Sequence, residues 1–217
     1  MRINFNQLLV SKDKGFVYHF IPRVACSTLK YHLHTFIEGA TVVAKEEVDV
    51  PNSPLHESVS KVSKPASEIR NYEDYFKFLV VRNPYDRVIS SYFEYVVPRS
   101  GRKFNSFVKD LDSIIEWHPQ LDHFMPISDM CAPLDTYNKV YKIEMDAITD
   151  IQEDLNVSFE EGVKFSSSKN NYYDLSTEDL DYFCSVIDRL YAEDLNSFDY
   201  TVKDSQYLKT FNYRRDI

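Results

Sequence analysis

The sequence predicts an α/β fold with a central, mainly parallel sheet flanked by helices, and two observations carry that reading. Short runs that are apolar on both faces alternate with stretches of helical periodicity, as strands buried in a parallel sheet do. Twice, moreover, a buried run passes through a tight turn directly into an amphipathic helix. The 217 residues, 43% hydrophobic and 15% aromatic, suffice for one domain with a real core, and residues 1–217 are read as a single domain.

Gly15 to Ile21 (GFVYHFI) is the first predicted strand, with Phe16, Tyr18 and Phe20 on one face and Val17, His19 and Ile21 on the other. Pro22 ends it, and a helix is predicted over Ser27–Ile37 from the stripe Leu29, Leu33, Phe36 and Ile37. Residues 39–74 show no strong period and read as a loop or short helices. Phe76–Val81 (FKFLVV) is a second buried strand. Asn83 and Pro84 then supply an N-cap and a first-turn proline for a helix to about Val97, with Val88, Tyr92, Tyr95 and Val96 inward. Further on, a helix is predicted over 104–116, a strand over Lys139–Ile143, and a helix through Ile148, Ile151 and Leu155. Ser176 and Asp179 resemble a capping box for a last helix carrying Leu180, Phe183, Val186, Ile187 and Leu190.

Thirty-four acidic residues against 25 basic ones give a net charge of −9, which argues against a general nucleic-acid binder because a phosphate backbone demands a basic surface. Cys26, Cys131 and Cys184 are odd in number and scattered, unlike a disulfide scaffold or a structural zinc site. The apolar run in MRINFNQLLVSKDKGF is too short for a signal-peptide core, and no later stretch approaches the ~18 apolar residues of a transmembrane segment. The expectation is a soluble, cytoplasmic protein.

Two segments carry chemistry. After the first strand, Pro22-Arg23-Val24-Ala25-Cys26-Ser27-Thr28-Leu29-Lys30 offers small residues, two hydroxyls, two cations and a helix N-terminus, the parts of an anion site. The same residues also fit an ordinary βα turn with a cap, and the GxxxxGK[ST] pattern is absent. After the second strand, Arg82-Asn83-Pro84-Tyr85-Asp86-Arg87-Val88-Ile89-Ser90-Ser91-Tyr92 places an arginine at a strand's carboxyl end and Ser90 two helical turns on. A buried ion pair and a helix-packing serine would look alike.

Taken together, IPRVACSTLK and VVRNPYDRVISSY resemble the two cofactor signatures of PAPS-dependent sulfotransferases, the carbohydrate O-sulfotransferases in particular. A weaker likeness runs through His56, Lys142–Glu144 and the closing LYAEDLNSFDY, so it covers most of the chain. The resemblance implies a P-loop-like three-layer fold and transfer of a sulfuryl group from 3′-phosphoadenosine-5′-phosphosulfate (PAPS) to an acceptor hydroxyl, on a saccharide or glycolipid, without a metal. It implies that Arg23, Val24, Ala25, Cys26, Ser27, Thr28, Leu29 and Lys30 surround the 5′-phosphosulfate, with backbone N–H groups from Ala25 to Leu29 as donors. Arg82 and Ser90 then take the 3′-phosphate.

The chain departs from the family at Arg23, where a lysine is usual. Arginine stays protonated, so it can clamp charge but not pass a proton. The family also uses a catalytic base on the acceptor hydroxyl, for which His56 stands first, His123 second, and His118 or a carboxylate next. His19, His32 and His34 read as structural. Ser166, Ser167, Ser168 and Lys169 suit either a loop over the 3′-phosphate or a solvated loop. Arg99, Arg102 and Lys103 suit either an acidic sugar or an exposed turn. The rival readings are a phosphoryl transferase and a catalytically inactive nucleotide-binding module of the same fold.

Overall fold

Residues 6–11, read from the sequence only as too short for a secretion signal, form the first strand, and its antiparallel hairpin with the second opens the fold. The structure, a computed structural model, describes residues 6–48, 53–111, 113–114, 121–161 and 176–210. In chain order the main elements are β1 (Asn6–Ser11), β2 (Phe16–His19), α1 (Cys26–Leu33), α2 (Pro54–Val62), β3 (Lys64–Pro65), β4 (Phe76–Val81), α3 (Pro84–Ser91), α4 (Phe104–Lys109), β5 (Lys139–Lys142), α5 (Ala147–Leu155), α6 (Thr177–Leu190), α7 (Ala192–Ser197) and α8 (Gln206–Thr210). Their contacts gather into two compact units, Met1–Val81 with Met130–Ser166, and Arg82–Asp129 with Ser167–Ile217.

The first unit holds a five-stranded sheet of order β3-β1-β2-β4-β5. β1 is antiparallel to both its neighbours, while β2–β4 and β4–β5 are parallel, so four of the five strands run the same way. This is the α/β class with a mainly parallel sheet that the alternating pattern predicts. The β1–β2 turn closes at Gly15, whose φ of 65° suits glycine. Leu8, Leu9, Phe16, Val17, Tyr18, Phe78, Leu79, Val80 and Val81 are completely or almost completely buried, which is why these runs are apolar on both faces.

Two expectations need correction, and the reading of 39–74 as a loop or short helices resolves to short helices. The predicted helix Ser27–Ile37 ends at Leu33 and tightens into a 3-10 turn over His34–Phe36. There the His34 ring meets the Tyr31 carbonyl and Thr35 Oγ1 donates to the His32 carbonyl (3.3 Å), and such side-chain bonds compete with the helix ladder. Within 39–74 lies a regular helix, α2, started by Ser53 accepting the Leu55 amide (3.2 Å) and by Pro54 in the first turn. His56 therefore sits on a helix, one of the two forms read for that stretch. In the helix after β4, α3 passes into a π-turn over Tyr92–Val96 and a last turn over Val97–Ser100, so Tyr95 leaves the main apolar stripe. The Ser176 cap on α6 is present, its Oγ accepting the Asp179 amide at 3.1 Å.

His19 is structural, as expected. Its Nδ1 lies 2.6 Å from the Tyr137 hydroxyl, and complete burial pushes its pKa down to about 3. Because the folded value is depressed, the unfolded chain binds more protons between about pH 3 and 6.5, and this histidine costs stability as pH falls through that window. The expected loss from this one group between pH 7 and pH 5 is about 2 kcal/mol. Denaturant titrations of wild type and His19→Asn at both pH values check it: equal pH slopes in the two proteins would refute the assignment.

The second unit is helical, and its core joins α3, α4 and α6 through Tyr85, Val88, Tyr92, Phe107, Phe183 and Ile187. Tyr92 and Phe183 each meet the Phe104 ring at 5.1 Å, edge to face.

Candidate functional site

The chain leaves β2 at His19 and enters α1 at Cys26 through a turn with two left-handed residues, Arg23 (φ 70°) and Ala25 (φ 61°). Each costs about 1–2 kcal/mol for a residue with a Cβ. No glycine lies between Gly15 and Gly39 to do this more cheaply. Val24 between them is fully buried and anchors the turn in the core. Alternation of left- and right-handed backbone folds N–H groups toward one side, which makes a concavity for an anion.

Helix α1 begins on Ala25, which has no side chain to cap it, and no acidic residue stands in its first turn. The Leu29 amide donates to the Ala25 carbonyl at 3.1 Å, so it is spent within the helix. That takes Leu29 out of the expected donor set, and helix geometry leaves first-turn amides, those of Cys26 and Ser27 among them, outside the helix ladder. The helix dipole adds partial positive charge at the same end. Ser27 is half-buried and Thr28 buried. Lys30 is buried too, its Nζ 3.8 Å from the centre of the Phe20 ring, which places a desolvated cation just past the end of β2. Beside the loop, the Tyr18 hydroxyl is fully buried without a hydrogen-bond partner. Burial raises its pKa well above the usual value, and the neighbouring Cys26 thiol adds to the rise.

β2 and β4 are parallel neighbours, so their carboxyl ends lie at the same end of the sheet, where α/β proteins bind ligands. From Val81 the chain continues at Arg82 into the second unit. There most polar side chains of the Arg82–Tyr92 segment have structural work. Asn83 accepts the Tyr85 amide (3.0 Å) and donates to the Thr201 carbonyl (3.1 Å). Asp86 is buried and caps α8, accepting from the Ser205 hydroxyl and from the amides of Gln206 (2.8 Å) and Tyr207 (3.1 Å). Tyr85 donates to Asp188 and Tyr92 to the Arg102 carbonyl (2.6 Å). Arg87, 1% exposed, donates to the carbonyls of Asp122 (2.7 Å) and Met125. The two expected phosphate ligands are placed differently. Arg82 is half-buried with its guanidinium carbon 5.7 Å from the Tyr207 ring centre, and Ser90 is buried on α3.

Both segments, in this order and on these elements, fall inside a match of residues 6–202 to the model of the sulfotransferase family. The chain belongs to that family. Among curated relatives, this sulfotransferase-family chain is 25% identical over 222 residues to carbohydrate sulfotransferase 14 of Danio rerio, covering 87% of this chain and 58% of that protein. It is likewise 25% identical over 223 residues to the Homo sapiens carbohydrate sulfotransferase 14, covering 89% and 58%. To carbohydrate sulfotransferase 11 of Rattus norvegicus it is 29% identical over 94 residues, 41% of this chain and 26% of that one. The chain thus spans 58% of the length of the first relatives it matches. No solved structure matches it.

The candidate bases of this family member divide between the two units. His56 lies exposed in the first turn of α2, in the first unit. His123 belongs to the second unit, in a 3-10 turn over Leu121–His123, its side chain 17% exposed and its Nδ1 2.8 Å from Asp122 Oδ1. His118 and Ser166–Lys169 lie outside the described residues. Arg102, one of the side chains weighed for an acidic sugar, is tied to Asp110 and to the Ser106 carbonyl (2.7 Å), which supports the turn reading. Arg87, Asp122, Tyr191 and Asp194 went unassigned in the sequence. Arg87, Tyr191 and Asp194 stand in the motif segments already quoted, but their partners are residues far along the chain, and the partner of Asp122 is its neighbour His123, so the pattern showed the residues and not their roles.

Among the described residues no helix is long and apolar enough to cross a membrane.

Proposed function

We propose that this protein is a PAPS-dependent sulfotransferase that moves a sulfuryl group to a hydroxyl of a carbohydrate. The observation that carries the reading is the start of α1: a helix N-terminus after a buried strand, with left-handed residues before it, no capping side chain and no acid in its first turn. That donor set fits a phosphosulfate. First-turn amides, those of Cys26 and Ser27 among them, and the hydroxyls of Ser27 and Thr28 take its oxygens. Arg23 supplies fixed positive charge as the bridging bond breaks, acting as an electrostatic clamp and not as an acid. Arg82 and Ser90 take the 3′-phosphate, the phosphate that separates this donor from ordinary adenine nucleotides. The relatives named as carbohydrate sulfotransferases support a saccharide acceptor.

When bound, the donor supplies an activated sulfuryl group with a good leaving group. The protein's share is to orient it, neutralise charge and remove the acceptor proton with a histidine, a contribution of about 10²–10⁴ in rate.

The test is thermal unfolding with 3′-phosphoadenosine 5′-phosphate (PAP), the product nucleotide, against AMP. At a hundredfold excess over its Kd, PAP adds about 2.7 kcal/mol, a rise of roughly 5–11 °C for a chain of this size. No rise at millimolar PAP, or an equal rise with AMP, would count against the reading.

A further inference from the structure

Cys26 is the first residue of α1 and half-buried, whereas Cys131 and Cys184 are buried. Thiol oxidation follows access, so an oxidant in solution meets Cys26 ahead of the other two. No acidic residue stands in the first turn of α1, and amides there lie outside the helix ladder, a setting that favours an added acceptor atom.

A buried donor without an acceptor faces this thiol from β2. The Tyr18 hydroxyl is sealed from solvent and makes no hydrogen bond, not even to sulfur. Its ring is held in place, stacked on Phe78 at 5.0 Å between centres and 6.3 Å from Phe20. Tyr18 and Phe20, two residues apart, share a face of the sheet, and the Phe20 amide extends the pairing with β1 by donating to the Gln7 carbonyl (2.9 Å). Helix α1 covers that face. Lys30 Nζ lies 3.8 Å from the centre of the Phe20 ring, and Cys26 precedes Lys30 by one helical turn on the same side. Burial above all, and then the thiol beside it, hold the Tyr18 pKa well above the usual value, so the hydroxyl keeps its proton. A buried donor left unpaired is costly, and an oxygen on Cys26 Sγ supplies the acceptor that Tyr18 lacks.

We propose that Cys26 is a peroxide-sensitive thiol whose oxidation disables the phosphosulfate site at the start of α1. What the oxidation shuts out rests on the sulfotransfer reading above. The Cys26 thiolate attacks one oxygen of hydrogen peroxide, and the O–O bond breaks. Sulfur gives up two electrons and becomes a sulfenic acid, while the other oxygen leaves as hydroxide and takes the thiol's proton to form water. The Tyr18 O–H donates to the new oxygen on sulfur. Because that hydroxyl is sealed, the oxygen has to fit between β2 and the first turn of α1, and the turn gives way with the amides it carries. A small thiol such as glutathione reverses the step. Its thiolate attacks Sγ, the sulfenic oxygen leaves as water once protonated, and a second thiol frees Cys26 from the mixed disulfide.

The test treats the full chain with hydrogen peroxide, traps sulfenic acid with dimedone and locates the adduct by peptide mass spectrometry, in wild type, Cys26→Ala and Tyr18→Phe. Cys26 should be labelled about tenfold ahead of Cys131 and Cys184. Oxidised wild type should bind PAP about tenfold more weakly than reduced protein, and dithiothreitol should restore the affinity. Cys26→Ala should bind PAP equally before and after peroxide, whatever its own affinity. Reduced Tyr18→Phe should unfold at or above the wild-type temperature, because the change deletes a donor that has no partner. Its sulfenic acid should persist about 3–10-fold less long than that of wild type, the worth of one hydrogen bond. Labelling that favours Cys131 or Cys184, a PAP affinity unmoved by peroxide, or a Tm for reduced Tyr18→Phe more than about 3 °C below wild type would each overturn the proposal. The labelled residue and the Tyr18→Phe comparison are read without nucleotide. They judge Cys26 even if PAP fails to bind reduced protein, an outcome that would sink the sulfotransfer reading instead.

Discussion

Arg87→Ala is expected to destabilise the protein by about 3–5 kcal/mol, a fall of roughly 6–20 °C in Tm. Arg87 is among the largest fully buried side chains of the described residues, and its guanidinium donates to the carbonyls of Asp122 and Met125. Truncation leaves both carbonyls desolvated without a donor, at about 1–3 kcal/mol each, and opens a cavity as well. Arg87→Lys should recover little of the loss, since a single ammonium does not span two carbonyls as a planar fork does. A Tm within 3 °C of wild type for Arg87→Ala would show that the 122–125 segment is held by other means. If Arg87→Lys folds, its PAP affinity should stay near the wild-type value. That separates this arginine from Arg82, five positions earlier in the same motif.

Arg82→Ala should weaken PAP about 100-fold while leaving AMP, at whatever affinity it has, within about threefold. Removing one partner of a charge-assisted pair with phosphate costs about 2–5 kcal/mol, and 2.7 kcal/mol corresponds to a hundredfold. The fold should be little affected, because Arg82 is half-buried against the Tyr207 ring rather than sealed in the core. Calorimetric titration with both nucleotides reads the difference. Equal losses for PAP and AMP would move Arg82 from the 3′-phosphate to some shared part of the nucleotide.

These two arginines show where reading the chain succeeds and where it runs out. The pattern VVRNPYDRVISSY displays both with equal prominence. Only the fold reveals that Arg87 faces a distant stretch of backbone while Arg82 begins the second unit beside an aromatic ring. Asp86 is similar: its partners are residues 205–207, nearly 120 positions on, and no local period signals such a contact. His56 and His123 were separable in the sequence only by resemblance. Burial, the Asp122 partner and the Tyr95 ring tell them apart in the structure.

Local chemistry determined a good deal by itself. Buried strands declare themselves by apolar side chains on both faces, so Phe76–Val81 is found where expected, and the Asn83-Pro84 and Ser176 caps start their helices as read. The strand-turn-helix at Pro22–Lys30 was equally legible, because a helix start needs only neighbours. Tertiary structure alone decided the rest. It set β1 against β2 and β3, ended α1 early through side chains bonding back to its carbonyls, and turned Tyr95 onto a π-turn. It also fastened residues 122–128 to side chains from two other stretches of the chain, Arg87–Ser91 and Tyr191–Asp194. Those outcomes depend on desolvated hydrogen bonds between residues far apart in sequence, whose worth comes from burial, and burial exists only once the chain has folded.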